Sequence, residues 1–296
     1  MSSTTESLPF TPEEAAPPRN TAWRRFRRHR LAMLGAAVIA VLVLGSVLGP
    51  FVIPYDETYI DILHRFAPPF AGPHVLGTDE LGRDMLARLM MGGRISLAVA
   101  FTAMAISMVI GISVGAIAGY YGGVVGAALM RLVDAVLCFP TIFLLLALAA
   151  LVQPGLGSIT LLIAATAWME VARIVEGQIR ALRERDFAVA AEVLGASDRY
   201  IVFRELVPNA IAPIVVSATL NVAKAILLES YVSFLGYGIQ PPVASWGNML
   251  NNAQIYLTSA PWLAVMPGLF ITLAVTSFNF LGDGLRDALD PRMDQP

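Results

Sequence analysis

Between residues 31 and 282 the chain alternates long runs without a charged side chain and short polar interruptions. A helix needs about 20 apolar residues to cross a hydrocarbon core about 30 Å thick. Backbone groups in lipid must be hydrogen-bonded within their own segment, so each run is read as helix. Residues 31–55 make a first span, and residues 95–130 a second that ends near Tyr120 and Tyr121. Residues 135–169 are too long for one crossing, and the turn sequence QPGLGS (153–158) divides them into spans three and four. Residues 206–223 begin a fifth span. The run 230–282 is broken by GYGIQPPVASWGN, after which residues 261–281 supply a sixth. The pattern predicts an all-α integral membrane protein with six transmembrane helices.

Composition agrees. Of 296 residues, 56% are hydrophobic and 14% charged, against about 25% charged in an average soluble domain; mean hydropathy is +0.67. The net charge of -2 says nothing about a partner, and no nucleic acid is expected as one. The single cysteine, Cys138, sits in an apolar run, which excludes a disulfide framework and a cysteine-based zinc site. His29, His64 and His74 are scattered outside the apolar runs, so no metal site and no catalytic nucleophile–base set is predicted.

Residues 1–20 are polar and proline-rich and read as a disordered tail. Residues 21–30 form a basic amphipathic segment for the membrane interface: WRRFRRHR (23–30) carries five arginines, with Trp23 and Phe26 at headgroup level. The apolar run behind it exceeds the 7–15 residues of a signal-peptide core, so it is an uncleaved span. Basic residues flank the cytoplasmic ends of spans. The N-terminus and, after six spans, the C-terminus are therefore expected in the cytoplasm. Residues 56–94, 153–158 and the QPP loop are expected outside, and residues 173–205 inside.

That last stretch holds twelve of the chain's 42 charged residues, six of each sign. Within it, FAVAAEVLGASDRYIVFRELVPN (187–209) predicts two short helices. Phe187, Ala190 or Ala191, and Leu194 recur at helical spacing and form one apolar stripe. Gly195 suits a helix C-terminus needing a left-handed residue. Ser197 or Asp198 can cap a second helix carrying Tyr200, Ile201 and Phe203. Pro208 marks the entry to span five. Such a stripe must bury against something: lipid and the chain's own loops, or a cytoplasmic protein using it as a docking helix.

This passage resembles the EAA loop of bacterial ABC importer permeases, with Ala190, Ala191, Gly195 and Pro208 in register and departures at Val189, Glu205 and Val207. Four further stretches resemble the same group in the same order: LGTDELGRDMLARLMMGGRISL (76–97), GYYGG (119–123) with MRLVDAVLCFP (130–140), ESYVSFLGYGIQPPVASWGNML (229–250) and NFLGDGLRDALDP (279–291). Over residues 20–291 the chain is most similar to the second permease subunit of oligopeptide and dipeptide importers. The resemblance implies the type I ABC importer permease fold, with a five-helix permease core over residues 95–291 and a coupling loop at 181–208. It also implies ATPase-coupling roles for Phe187, Ala190, Ala191, Leu194, Gly195, Ala196 and Pro208. The implied partners are a homologous second permease, two cytoplasmic ATPase subunits that bind ATP and Mg2+, an extracytoplasmic substrate-binding protein, peptide and membrane lipid. Nickel and glutathione importers share much of the pattern. The implied location is the bacterial inner membrane.

A Walker A loop needs a lysine after a glycine-rich turn. The only lysine, Lys224, lies in NVAKAILLES with no such turn before it, so ATP hydrolysis belongs to another subunit. Lys224 and Glu229 lie within span five, five residues and roughly 140° apart, and do not pair with each other. Ionisable groups at membrane depth are costly and default to function. Lys224 either lines the path and meets peptide carboxylates, or snorkels or pairs with the second permease; Glu229 is expected in a structural role at the outer helix end. Arg131 and Asp134 read as interface charges, and Pro140 as a kink in span three. Two other function classes stay open: a proton-coupled transporter working through Glu170, Lys224 and Glu229, and a passive anchor for a cytoplasmic complex.

Overall fold

A computed structural model describes residues 19–251 and 253–289, and it is all-helical with a single isolated β-bridge between Thr78 and Asp84. The expected tail at residues 1–20 lies almost wholly outside the described residues. Helix α1 (Arg19–Arg28) leads through His29, whose Nδ1 accepts from the Ala32 N–H at 3.1 Å, into α2 (Arg30–Val52), the first span. Phe26 does not face outward. It is buried against Ala32 and Ala288, because α1 folds back onto the last helix and shields an aromatic that lipid would otherwise have to cover.

Helix α3 (Met85–Tyr121) starts ten residues before the charge-free run. Asp84 caps it by accepting from the Ala87 N–H at 2.7 Å, satisfying a donor that the helix itself leaves open. Its 37 residues span roughly 55 Å at 1.5 Å per residue, so α3 projects well beyond the hydrocarbon. Gly122 (φ 57°) and Gly123 (φ 49°) turn the chain into α4 (Gly123–Leu137), which meets α5 (Thr141–Ala149) at Cys138–Pro140 with a bend of 81°. The kink expected at Pro140 is thus a full break. Among the described residues five helices are long and apolar enough to cross a membrane, or six if the bent pair α4–α5 counts as one broken span.

Helix α6 (Leu156–Arg183) runs on through Arg173, Glu176 and Arg180, which the charge pattern alone assigned to a loop. The helix persists because Val171, Ala172, Val175 and Ile179 keep a buried stripe against α3, while Arg173 and Arg180 turn outward and buried Glu176 is paired by Arg180. The α3–α6 contact is the most extensive in the molecule. Three glycines at four-residue spacing permit it. A Cβ on Gly111 would stand 2.5 Å from that of Val171, one on Gly115 2.5 Å from the Ala172 carbonyl oxygen, and one on Gly119 2.7 Å from that of Glu176. This is the small-residue packing that lets helix backbones approach in a membrane.

Helix α7 (Asp186–Val193) and the short α8 (Asp198–Tyr200) follow. A π-helical turn (Ile201–Leu206), α9 (Val207–Asn209) and the fifth span, α10 (Ile211–Phe234), come next. Helix α11 (Trp246–Asn251) dips back against α10, and α12 (Trp262–Leu289) completes the bundle. One large apolar core joins α2, α3, α6, α10 and α12. A second, at the α7 end, joins α3, α6, α7 and the π turn.

Candidate functional site

The α7 end carries most of the residues singled out in the sequence. Helix α7 ends in a paired backbone closure: Gly195 N–H donates to the Glu192 carbonyl at 2.9 Å and Ala196 N–H to that of Ala191 at 3.0 Å, with Gly195 at φ 79°. That is the helix stop a left-handed glycine allows. Ser197 caps α8, accepting from the Tyr200 N–H at 3.4 Å. Asp198 is not the cap. Its two carboxylate oxygens accept from Tyr120 Oη at 3.0 Å and Tyr121 Oη at 3.1 Å. Arg183 donates to the Tyr120 carbonyl and lies over its ring at 5.2 Å. Asp198 therefore bolts the loop to the end of α3, to which Arg183 also ties the end of α6.

The expected single stripe is divided. Phe187, Ala191 and Ala196 pack on the chain's own second core beside buried Ala188, whereas Ala190 faces out. Leu194, one residue past the end of α7, is 86% exposed, Val193 81% and Phe203 60%, with Tyr200 and Val189 half-exposed. Phe187 and Leu194 stand about two turns apart, so the start of the stripe rests on the core while its far end projects beyond it. Phe187 thus anchors the loop to its own bundle, and the outward apolar surface belongs to Val189, Val193, Leu194, Tyr200 and Phe203. The helical spacing of Phe187, Ala190 or Ala191, and Leu194 marks one stripe and so does not point to Val193 or Val189. Pro208 sits in α9, one short turn ahead of the fifth span and separated from it by Ala210.

At mid-bundle Lys224 pairs with Glu170 of α6, within its own chain. Below it Arg173 pairs with Asp134 of α4. The Glu170–Lys224 pair stands in an open cleft of about 260 Å³ lined also by Thr141, Thr166, Asn221 and Tyr231.

Glu229 belongs to neither place. It is completely buried, accepting from Ser96 Oγ at 2.9 Å and Ser233 Oγ at 2.8 Å. Ser96 in turn accepts from the Trp246 N–H at 3.2 Å, and Trp246 Nε1 donates to the Leu89 carbonyl at 2.9 Å. This network ties α11 to α3 and α10. Further out, Asp79 holds both Arg83, at 2.7 Å, and Arg88, at 3.4 Å, while Trp262 Nε1 donates to the Thr78 carbonyl at 3.1 Å. In the same loop the His64 side chain bonded to Asp61 holds that carboxyl below its ordinary range.

Residues 111–295 match the family described as binding-protein-dependent transport system inner membrane component. The chain belongs to this permease family. Residues 18–69 also match the N-terminal TM domain of oligopeptide transport permease C. The permease is 40% identical over 273 residues to the dipeptide transport system permease protein DppC of Bacillus subtilis (strain 168), covering 92% of this chain and 85% of that protein. It is 39% identical over 273 residues to the oligopeptide transport system permease protein OppC of Haemophilus influenzae, covering 92% and 88%. Its fold matches a chain of the inward-facing MetNI methionine ABC transporter with a TM-score of 0.58 and 21% identity, over 70% of this chain and 98% of the other. The permease therefore has the type I importer fold expected from its sequence.

Proposed function

We propose that this permease is the second membrane subunit of an ATP-driven peptide importer. It forms half of the translocation pathway beside a homologous permease, receives peptide from an extracytoplasmic binding protein, and is driven by two cytoplasmic ATPase subunits that bind ATP and Mg2+. The peptide class is supported by relatives named for dipeptide and oligopeptide transport. The observation that carries the coupling role is the apolar surface of Val193, Leu194 and Phe203, which stands exposed on a loop fastened to α3. Contiguous exposed apolar surface marks an interaction site. The α7 end faces the cytoplasm in this reading, because the arginine-rich α1 lies at the start of the first span and basic residues stay inside.

The test is copurification of the ATPase subunits with the permease and ATP-dependent peptide uptake by the reconstituted complex. Leu194→Ser with Val193→Ser should release the ATPases, while the permease still inserts. Retained ATPases would place the docking surface elsewhere, and uptake without ATP would favour a proton-coupled mechanism. For orientation, exposed Cys138 is first replaced by alanine. Single cysteines at Gly72, which has open space around it, and Thr258 should then react with an impermeant reagent in intact cells. Labelling confined to opened membranes would reverse the topology.

A further inference from the structure

The ion pair in the mid-bundle cleft has a placement that simple packing does not account for. Glu170 stands 14 residues into α6 and Lys224 13 residues into α10, roughly 20 Å from the helix starts at 1.5 Å per residue, so both lie near the middle of their spans. Their side chains are nonetheless 40% and 55% exposed. Half-exposed charges at that depth are costly against acyl chains, and such residues face a bundle interior or a water-filled cavity. The cleft is open, and it holds a second unfinished polar group. Asn221 is buried, its Nδ2 donating to the Ser217 carbonyl at 3.0 Å, while its Oδ1 has no hydrogen-bond partner. Buried polar atoms in proteins are nearly always paired, so an acceptor left open beside a cleft points to a donor that arrives from outside the chain.

We propose that Glu170, Lys224 and Asn221 form a contact for zwitterionic peptide inside the pathway, in which the ion pair opens and exchanges partners. Lys224 takes a carboxylate of the passing peptide, Glu170 takes its ammonium group, and the Asn221 Oδ1 accepts from a peptide N–H. This rests on the reading of the permease as part of a peptide importer. Charge complementarity selects the occupant: the cleft offers one fixed cation, one fixed anion and one acceptor, and a peptide brings the opposite set. With the pair closed no charge is stranded between cycles, and with peptide bound each charge again has a partner. The two residues sit on different helices, so a peptide bridging them engages α6 and α10 together.

The experiment uses the complete importer reconstituted in proteoliposomes with its binding protein. It is offered a pool of alanine-based peptides of two to five residues bearing a neutral, acidic or basic side chain, and the peptides taken up are identified by mass. Lys224→Met and Glu170→Gln should each lower uptake about tenfold, the scale of one lost charge contact. Lys224→Met should disfavour acidic peptides relative to basic ones, and Glu170→Gln the reverse. The double variant Glu170→Gln/Lys224→Met should remain impaired. Native uptake by the double variant would reduce the pair to packing, and so would single variants whose losses are equal for all peptides; either result overturns the proposal. A wild-type complex that hydrolyses ATP but takes up no peptide in the pool would instead overturn the peptide reading itself.

Discussion

Residues 187–208 and residues 229–250 both interrupt the apolar chain with polar and turn-forming residues, and both carry family-like motifs, yet the folded protein uses them in opposite ways. In the second stretch Glu229 and Trp246 are fully buried and every hydrogen bond they make is to the permease itself. In the first, Val193, Leu194 and Phe203 stand in the open while a polar group, Asp198, does the fastening to Tyr120 and Tyr121. A buried polar network closed on itself specifies a rigid arrangement. An apolar surface held rigidly from behind is the complement a separate protein would need. The two stretches differ in whether the apolar or the polar residues are left unfinished.

Trp246→Ala should produce the largest effect, because it empties a fully buried site and removes the bond to the Leu89 carbonyl. Truncating a core aromatic costs about 3–5 kcal/mol. The detergent-solubilised complex should lose most of its thermal stability, measured by the temperature at which monodispersity is lost. An unchanged midpoint would mean that α11 is not held by this side chain.

Next comes Glu229. Glu229→Ala leaves the Ser96 and Ser233 hydroxyls without their acceptor in a closed interior, and an orphaned buried group costs about 1–3 kcal/mol. Glu229→Gln keeps an acceptor in place and should recover most of the loss. Equal damage by both would show that the carboxylate charge, and not hydrogen bonding, is what the site requires.

How much of this was legible depends on what each feature rests on. The crossings were legible because charge-free runs and the turn residues QPGLGS and Pro140 report directly on local backbone cost. The continuation of α6 through Arg173–Arg183 was not, because its helix is sustained by packing on α3, a contact more than fifty residues away in sequence. The glycines at 111, 115 and 119 were visible in the sequence and signalled that contact, but their spacing has meaning only once a facing helix is known. Gly195 was legible because a left-handed turn is a local demand. The Glu170–Lys224 and Asp198–Tyr120 pairings were not, since each joins residues 54 and 78 positions apart.

Gly195 offers a sharper test of the exposed stretch. A Cβ there would meet nothing within 4 Å, so substitution acts through the backbone alone, at φ 79°. The left-handed conformation costs an ordinary residue about 1–2 kcal/mol, while asparagine tolerates it better. Gly195→Val should weaken ATPase retention and peptide uptake more than Gly195→Asn, with insertion of the permease unaffected. Indistinguishable variants would mean that the turn between α7 and α8 does not set the docking surface.

The smallest effect on stability, and the most specific on function, is expected at the tether itself. Tyr120 is nearly buried and donates to Asp198 at 3.0 Å; Tyr121 donates to the same carboxylate at 3.1 Å but is exposed. A typical hydrogen bond contributes about 0.5–1.5 kcal/mol, so Tyr120→Phe should leave the bundle folded. It removes only the hydroxyl, and with it one of the links by which movement of the loop would reach α3. The expected result is a lowered number of peptides imported per ATP hydrolysed, with ATPase subunits still bound. Tyr121→Phe, whose hydroxyl water can replace, should change that ratio less. If both variants keep the native ratio, α7 and α8 pass their motion to the spans through Arg183 and the apolar packing of Phe187 and Ala188, and Asp198 serves only to hold the loop in place.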